Sequence, residues 1–119
     1  MAASIGFYQA LGLKLIVESA PHYVRFEFPT PNTGEPDTLS LHEVTEDWTP
    51  SSTWPLIYFE VDDLDAYLLE LKEHNITPLN PAKTEDWLWR EADIFDPSGN
   101  TIRLYTAGEH RRFPPWRVD

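Results

Sequence analysis

Cysteine is absent from the 119 residues, which excludes a disulfide framework, a thiolate nucleophile and a thiolate metal site. A reducing interior suits such a chain, and a cytoplasmic location is the expectation. No apolar run approaches the roughly 20 residues that a membrane span needs, and the first residues lack the charged and apolar segments of a secretory signal. Basic residues are scarce: nine Lys and Arg stand against twenty Asp and Glu, for a formal charge of -11. That charge repels phosphate backbones and anionic membranes, so neither nucleic acid nor a membrane is an expected partner. The exception is the tail GEHRRFPPWRVD, whose Arg111, Arg112 and Arg117 are interrupted by prolines and make a poor phosphate stripe. No glycine-rich phosphate loop and no serine-centred nucleophile motif occur, which argues against nucleotide hydrolysis and ester cleavage.

What is present reads as one motif written twice within a single domain. From Leu56 the order is a strand (LIYFEV), a helix (DDLDAYLLELKEHN), a short extended piece (ITPL) and two strands (WLWREADIF and NTIRLYT) around the turn DPSGN. From Ser4 it is a helix (SIGFYQALG) followed by the strands LKLIVE, YVRFEF and TLSLHEV. The first copy lacks an opening strand, since only Met1, Ala2 and Ala3 precede Ser4. Ser4 is expected to cap the first helix and Gly12 to end it, with Ile5, Tyr8 and Leu11 at helical spacing. Asp62 and Asp63 open the second helix, which carries Leu64, Tyr67, Leu68 and Leu71 on one stripe and stops near Asn75. Residues 29–38 and 45–55 are rich in turn formers and read as loops, the second linking the halves. Module one thus covers about 1–44, a linker 45–55, module two 56–107 and a tail 108–119. Units of this size bury their apolar faces against one another.

Within the strands apolar residues alternate with polar ones, the pattern of a sheet covered on one face. Ala92 and Ile94 are expected to pack with Ile102 and Leu104, leaving Trp87, Trp89, Glu91, Asp93, Arg103 and Tyr105 opposite. Two helices cover only the apolar face. The other carries Arg25, Glu27, Ser40, His42, Tyr58, Glu60, Glu91, Arg103 and Tyr105; on a sheet curving under its own twist these line a cleft, whereas on a flat sheet they are ordinary solvated surface.

The segments FYQALGLKL, FEVDDLDAYLLELKEHNI and DIFDPSGNTIRLYT resemble the vicinal oxygen chelate superfamily, whose members include glyoxalase I, bleomycin-resistance proteins, fosfomycin-resistance enzymes and extradiol dioxygenases. The likeness spans almost the whole chain, and the order of the segments is more specific than any one of them. It implies an α+β fold of the glyoxalase and bleomycin-resistance type: tandem βαβββ modules forming a curved mixed sheet, usually completed by a second protomer, with ligand sites in the concavities. Members normally carry a further strand before the FY helix. Here the chain is truncated, begins at an alternative start or borrows a strand, and the gap is expected to be filled by another chain or covered by the tail.

Metal-dependent members of that superfamily bind a divalent ion through a His on the opening strand, a His or Gln at the start of the strand after the linker, and a Glu in the last strand. The ion polarises two adjacent oxygens of the substrate. Here the first ligand has no counterpart, the second position falls at Leu56 and the third at Arg103. An aliphatic chain cannot coordinate a metal and a guanidinium repels one, so no cofactor is predicted. A divalent ion on His42, Glu60 and Glu91 is the alternative, although Arg25 and Arg103 on the same face give an equally good reason for those carboxylates. A metal-free acid/base site would use Glu60 or Glu91 as base and Arg103 to hold an anionic group.

Tyr58, Trp87, Trp89 and Tyr105 offer flat apolar surface beside charges, suited to a planar or cationic ligand, unless they are core or dimer contacts. Trp48 and Trp54 in the linker and Trp116 in the tail would line a lid or clamp a partner subunit. The expected function is binding of a small organic molecule by a homodimer without the usual metal, through Arg25, His42, Tyr58, Trp87, Trp89, Arg103 and Tyr105, in the manner of drug-sequestering relatives. A lyase, isomerase or epimerase with an atypical site is the first alternative, and a protein-interaction module using the sheet edge and tail the second.

Overall fold

The strand, helix and two closing strands expected after Leu56 are all present, although the first closing strand starts later than the pattern places it and a further short strand precedes it. A computed structural model describes residues 1–29, 36–50 and 55–118, and the chain divides into two units, Met1–Pro50 and Ser51–Asp119. The first unit contains α1 (Ala2–Ala10), β1 (Lys14–Ser19), β2 (Tyr23–Glu27) and β3 (Thr38–His42), with the strands in the antiparallel order β1-β2-β3. The second contains β4 (Leu56–Glu60), α2 (Leu64–Glu73), β5 (Lys83–Thr84), β6 (Arg90–Phe95) and β7 (Thr101–Thr106), then a short 3-10 turn at Gly108–Arg111. Its sheet has the order β4-β7-β6-β5, with β4 parallel to β7 and the other pairs antiparallel. The architecture is α+β with mixed and antiparallel sheets. No helix among the described residues is long and apolar enough to cross a membrane.

The two helices end in the same way, which is the clearest trace of repetition. After α1, Gly12 N–H donates to the Gln9 carbonyl and Leu13 N–H to the Tyr8 carbonyl. After α2, Asn75 N–H donates to Lys72 and Ile76 N–H to Leu71. Each is a Schellman motif, which satisfies carbonyls left over at a helix end and places an apolar residue just beyond it against the last turn. The motif needs a residue with positive φ; Gly12 supplies it at 103° and Asn75 at 62°.

Ser4 does not cap α1. The helix begins at Ala2 with Met1 at its N-cap and no side-chain capping bond, because Ala2 and Ala3 are strong helix formers and extend it past Ser4. In α2, by contrast, the Asp63 carboxylate accepts from Ala66 N–H at 3.2 Å, and the Thr106 hydroxyl accepts from Leu64 N–H at 2.9 Å while donating to the Val61 carbonyl. The start of α2 is thereby tied to the end of β7.

Each unit has its own buried set. In the first, Tyr8, Leu11, Leu13, Val24 and Phe26 are buried, with the Tyr8 and Phe26 rings 5.8 Å apart. In the second, α2 packs on β6 and β7 through Leu64 and Leu71, against Ala92, Ile94, Ile102 and Leu104. Tyr67 on the same helix is half-buried, and burial together with the nearby Glu70 carboxylate pushes its hydroxyl up to about 12. A raised folded-state value means that the unfolded chain loses this proton first, so the contribution is complete below pH 10 and is lost as pH rises towards 12. The side chain is partly solvated, so the expected loss is about 1 kcal/mol rather than the full value of the shift. Urea unfolding between those pH values should show this loss in the native chain and not in Tyr67→Phe.

Two points of the strand pattern are corrected. The short piece ITPL bonds to β6 through Leu79 N–H and the Asp93 carbonyl, and the pattern misses the short strand β5 that follows at Lys83–Thr84. Trp87, Leu88 and Trp89 alternate with no polar face of their own and lie outside β6. They form the turn between β5 and β6, closed by Leu88 N–H to the Glu85 carbonyl and Glu85 N–H to the Trp89 carbonyl, with Leu88 at φ 73°. The loop expectations over 29–38 and 45–55 fall partly on residues outside those described, as does Trp54. The remaining residues of both stretches are irregular apart from Thr38, which begins β3.

Candidate functional site

Alternation in β6 and β7 sends Ala92, Ile94, Ile102 and Leu104 under α2 and Glu91, Asp93, Arg103 and Tyr105 to the opposite face. The register sets them in two rows. Tyr58 stands beside Arg103 and Arg103 beside Asp93; Glu60 stands beside Tyr105, Tyr105 beside Glu91 and Glu91 beside Lys83.

The first row is an ion pair. Arg103 donates from Nε and Nη2 to the two Asp93 carboxylate oxygens at 2.8 and 3.0 Å, and from Nη1 to the Tyr58 hydroxyl at 3.2 Å. Glu91 Oε1 lies 3.4 Å from Nε. Such a fork-to-fork pair is strongly directional, and the Asp93 bonds hold the guanidinium above its ordinary range. Three of the five guanidinium N–H groups are thereby used, and the positive charge is offset chiefly by Asp93.

In the second row Glu91 is buried, with 6 % of its surface exposed. Its Oε2 accepts a 2.6 Å bond from Trp87 Nε1, so the turn folds an indole back over the carboxylate. Trp89 stacks on Tyr105 with centroids 4.5 Å apart and planes 10° from parallel, and its Nε1 donates to the His110 carbonyl at 3.3 Å. Tyr58 meets Tyr105 edge to face at 5.7 Å. Desolvation raises the Tyr105 hydroxyl, and the Glu60 charge adds to it. Glu60 itself pairs with Arg111, whose Nε donates to it at 3.1 Å.

These groups line a shallow cavity, open to solvent, of about 530 Å³, formed by Tyr58, Trp87, Trp89, Glu91 and Tyr105. Tyr58 and Trp87 are nearly half exposed and form its rim, while Glu91 is its buried floor. A second, polar cavity of about 270 Å³ lies on the other side of Glu91 and includes Lys83, Glu85, Asp93 and Arg103.

The remaining expected ligand residues, Arg25 and His42, form a cluster with Tyr23 on the first unit. Arg25 Nε donates to the Tyr23 hydroxyl at 2.6 Å, that hydroxyl is 2.9 Å from Ser40 Oγ, and the His42 ring lies 4.8 Å from the Tyr23 ring. The Ser40 bond, followed by the Arg25 contacts, lowers the Tyr23 hydroxyl from its ordinary value. Tyr23 and Asp93 are the participants that pattern reading left out of the site. Both were accessible: Tyr23 is two residues from Arg25 on the same strand face, and Asp93 is as far before the DPSGN turn as Arg103 is after it.

The family's metal chemistry does not fit these residues. Leu56 offers no donor and Arg103 brings a committed positive charge to the last-strand position. Among the described residues no group of three or more His, Asp or Glu is placed to hold a metal ion. Glu60 and Glu91 each have an arginine partner instead, Arg111 and Arg103.

The glyoxalase/bleomycin resistance protein/dioxygenase superfamily model matches residues 1–104. The fold is similar to a glyoxalase/bleomycin resistance protein/dioxygenase from Nocardioides, with a TM-score of 0.71 at 19% identity over 99% of this chain and 82% of that one. It is similar to another so described from Alicyclobacillus acidocaldarius, with a TM-score of 0.69 at 19% identity over 93% and 86% of the two chains. A lactoylglutathione lyase from Agrobacterium tumefaciens gives 0.67 at 18% identity over 94% and 88%. No curated protein sequence matches. At these identities the solved structures speak for fold alone, and the family model, covering most of the chain, settles descent: the chain belongs to the glyoxalase/bleomycin resistance protein/dioxygenase superfamily.

Proposed function

We propose that the protein binds a small organic molecule in the cavity formed by Tyr58, Trp87, Trp89, Glu91 and Tyr105, and does so without the metal that many members of the superfamily use. The cavity itself carries this reading: about 530 Å³ falls within the ordinary size of small-molecule sites, and four aromatic side chains around a single carboxylate is the composition of a binding pocket. A catalytic reading has less support, because the two carboxylates named as bases are each in an ion pair and the neighbouring guanidinium is committed to Asp93.

Two of the lining groups are indoles, so intrinsic tryptophan fluorescence reports occupancy directly. Titration with a panel of small planar organic molecules should produce saturable quenching by at least one of them. Trp89→Ala is expected to weaken that binding by at least about tenfold, since it removes both ring surface and the stack that holds Tyr105. Dialysis after soaking in magnesium, manganese, nickel or zinc salts should leave less than about a tenth of an equivalent of metal, and the same binding curve. A stoichiometric ion, or no quenching by any molecule of the panel, contradicts the proposal.

A further inference from the structure

Among the described residues, the nitrogen donors around the aromatic cavity already have acceptors. Trp87 Nε1 is bonded to Glu91, Trp89 Nε1 to the His110 carbonyl, and all three nitrogens of Arg103 to Asp93 or Tyr58. Lys83 faces the second cavity, with its ammonium 3.8 Å from Glu85. Arg111, the other nearby cation, is paired with Glu60. An anionic ligand would therefore meet, among the described residues, cations already paired with carboxylates, and a buried carboxylate at the floor.

The charge count inside the site has the opposite sign. Arg103 is one positive charge facing two carboxylates, Asp93 at 2.8 Å and Glu91 at 3.4 Å, and its bidentate geometry goes to Asp93. Glu91 is left with partial compensation while almost wholly removed from water. Around it stand the rings of Tyr58, Trp87 and Trp89, with Trp87 turning its Nε1 edge to the carboxylate and Arg103 over one face of Tyr58 at 5.5 Å; an aromatic face carries negative potential. The chain as a whole, at -11, also draws cations towards it.

Resting on the ligand-binding reading above, we infer that the ligand is an organic cation, and that its charge is a quaternary or otherwise alkylated ammonium held over Glu91 among the rings of Tyr58, Trp87 and Trp89. A quaternary ammonium carries no N–H and needs no hydrogen-bond acceptor of its own. It matches a site whose carboxylate already accepts from Trp87 and whose other walls are aromatic faces. The Trp89–Tyr105 stack leaves no room for a ring between those two residues, so any aromatic part of the ligand lies on an outer face.

The test compares phenyltrimethylammonium with its neutral isostere tert-butylbenzene and with benzoate, by fluorescence titration of the intact protein. The cation is expected to bind at least about tenfold more tightly than either of the others. Glu91→Gln keeps an acceptor for Trp87 and removes the charge; it should weaken the cation about tenfold and leave the neutral isostere unchanged. Tyr58→Leu, at an exposed rim position, removes a ring face while keeping an apolar side chain and should selectively weaken the cation too, with far-UV circular dichroism confirming the fold of both variants. If tert-butylbenzene or benzoate binds as tightly as the cation in a Trp89-dependent way, the ligand-binding reading stands and the cation inference falls. Equal losses for cation and neutral isostere in Glu91→Gln also overturn the inference. No saturable binding of any of the three probes overturns it, and the ligand-binding reading then depends on the wider panel alone.

Discussion

Leu104→Ala is expected to lower the unfolding free energy by about 2–5 kcal/mol, which is the largest loss we anticipate for a single replacement. Leu104 has no exposed surface and sits at the centre of β7, paired with Phe59 of β4 on one side and Ala92 of β6 on the other. Removing the side chain forfeits its transfer from water and leaves a void. That void does not close easily, because Ala92 is too small to fill it and the β4-β7-β6 register holds the neighbouring backbones in place. For a domain whose total stability is of the order of 5–15 kcal/mol, such a loss is a large fraction of the whole. Denaturant unfolding monitored by circular dichroism would measure it, with Leu69→Ala as a reference. Leu69 lies on α2 with 70% of its surface exposed and should change stability by no more than about 0.5 kcal/mol. Similar losses for both would mean that α2 does not cover the sheet as described.

Asp96→Ala is expected to destabilise by about 2–4 kcal/mol, a large figure for a turn residue. Its carboxylate is buried. It accepts from Ser98 N–H at 2.9 Å, from Asn100 N–H at 2.8 Å and from the Asn100 side-chain amide at 2.9 Å. Alanine removes these charge-assisted bonds together and leaves two backbone donors without that acceptor. The turn also sets the register of β6 on β7, since Asp96 N–H donates to the Asn100 carbonyl and Gly99 turns the chain at φ 89°. Slippage there would separate Asp93 from Arg103 and Glu91 from Tyr105, so ligand quenching should weaken along with stability. Asp96→Asn keeps one good acceptor oxygen but turns an amide N–H₂ towards Asn100, and roughly half the loss is expected. Equal stability of Asp96→Ala and the native chain would show that the turn is held by backbone geometry alone.

The repeat was legible because helix stripes and strand alternation are local periodicities. Leu64 and Leu71 on α2, and Ile94, Ile102 and Leu104 on the sheet, are buried as their spacing demands. The helix ends were legible too, since Gly12 and Asn75 are the residues that tolerate the backbone each stop requires. The start of α1 was not, because a serine at a plausible place competes with alanines that simply propagate the helix. The Trp87-Leu88-Trp89 run was misread for a similar reason: bulky apolar residues have strand propensity, and nothing local reveals that Trp87 will fold back onto a carboxylate four residues later.

Composition and pattern alone determined the α+β module order, the absence of thiol chemistry, and the unsuitability of Leu56 and Arg103 as metal ligands. These depend on residue type and short-range period, which the chain carries in one dimension. Tertiary structure decided the character of the site. Whether Arg103 grips a ligand or Asp93, whether Glu91 is solvated or buried, and whether four aromatic residues form a core or a cavity all depend on which strands lie side by side. Cross-strand distances are set by register and turn geometry, and the sharing of Arg103 between Asp93 and Glu91 follows from those distances.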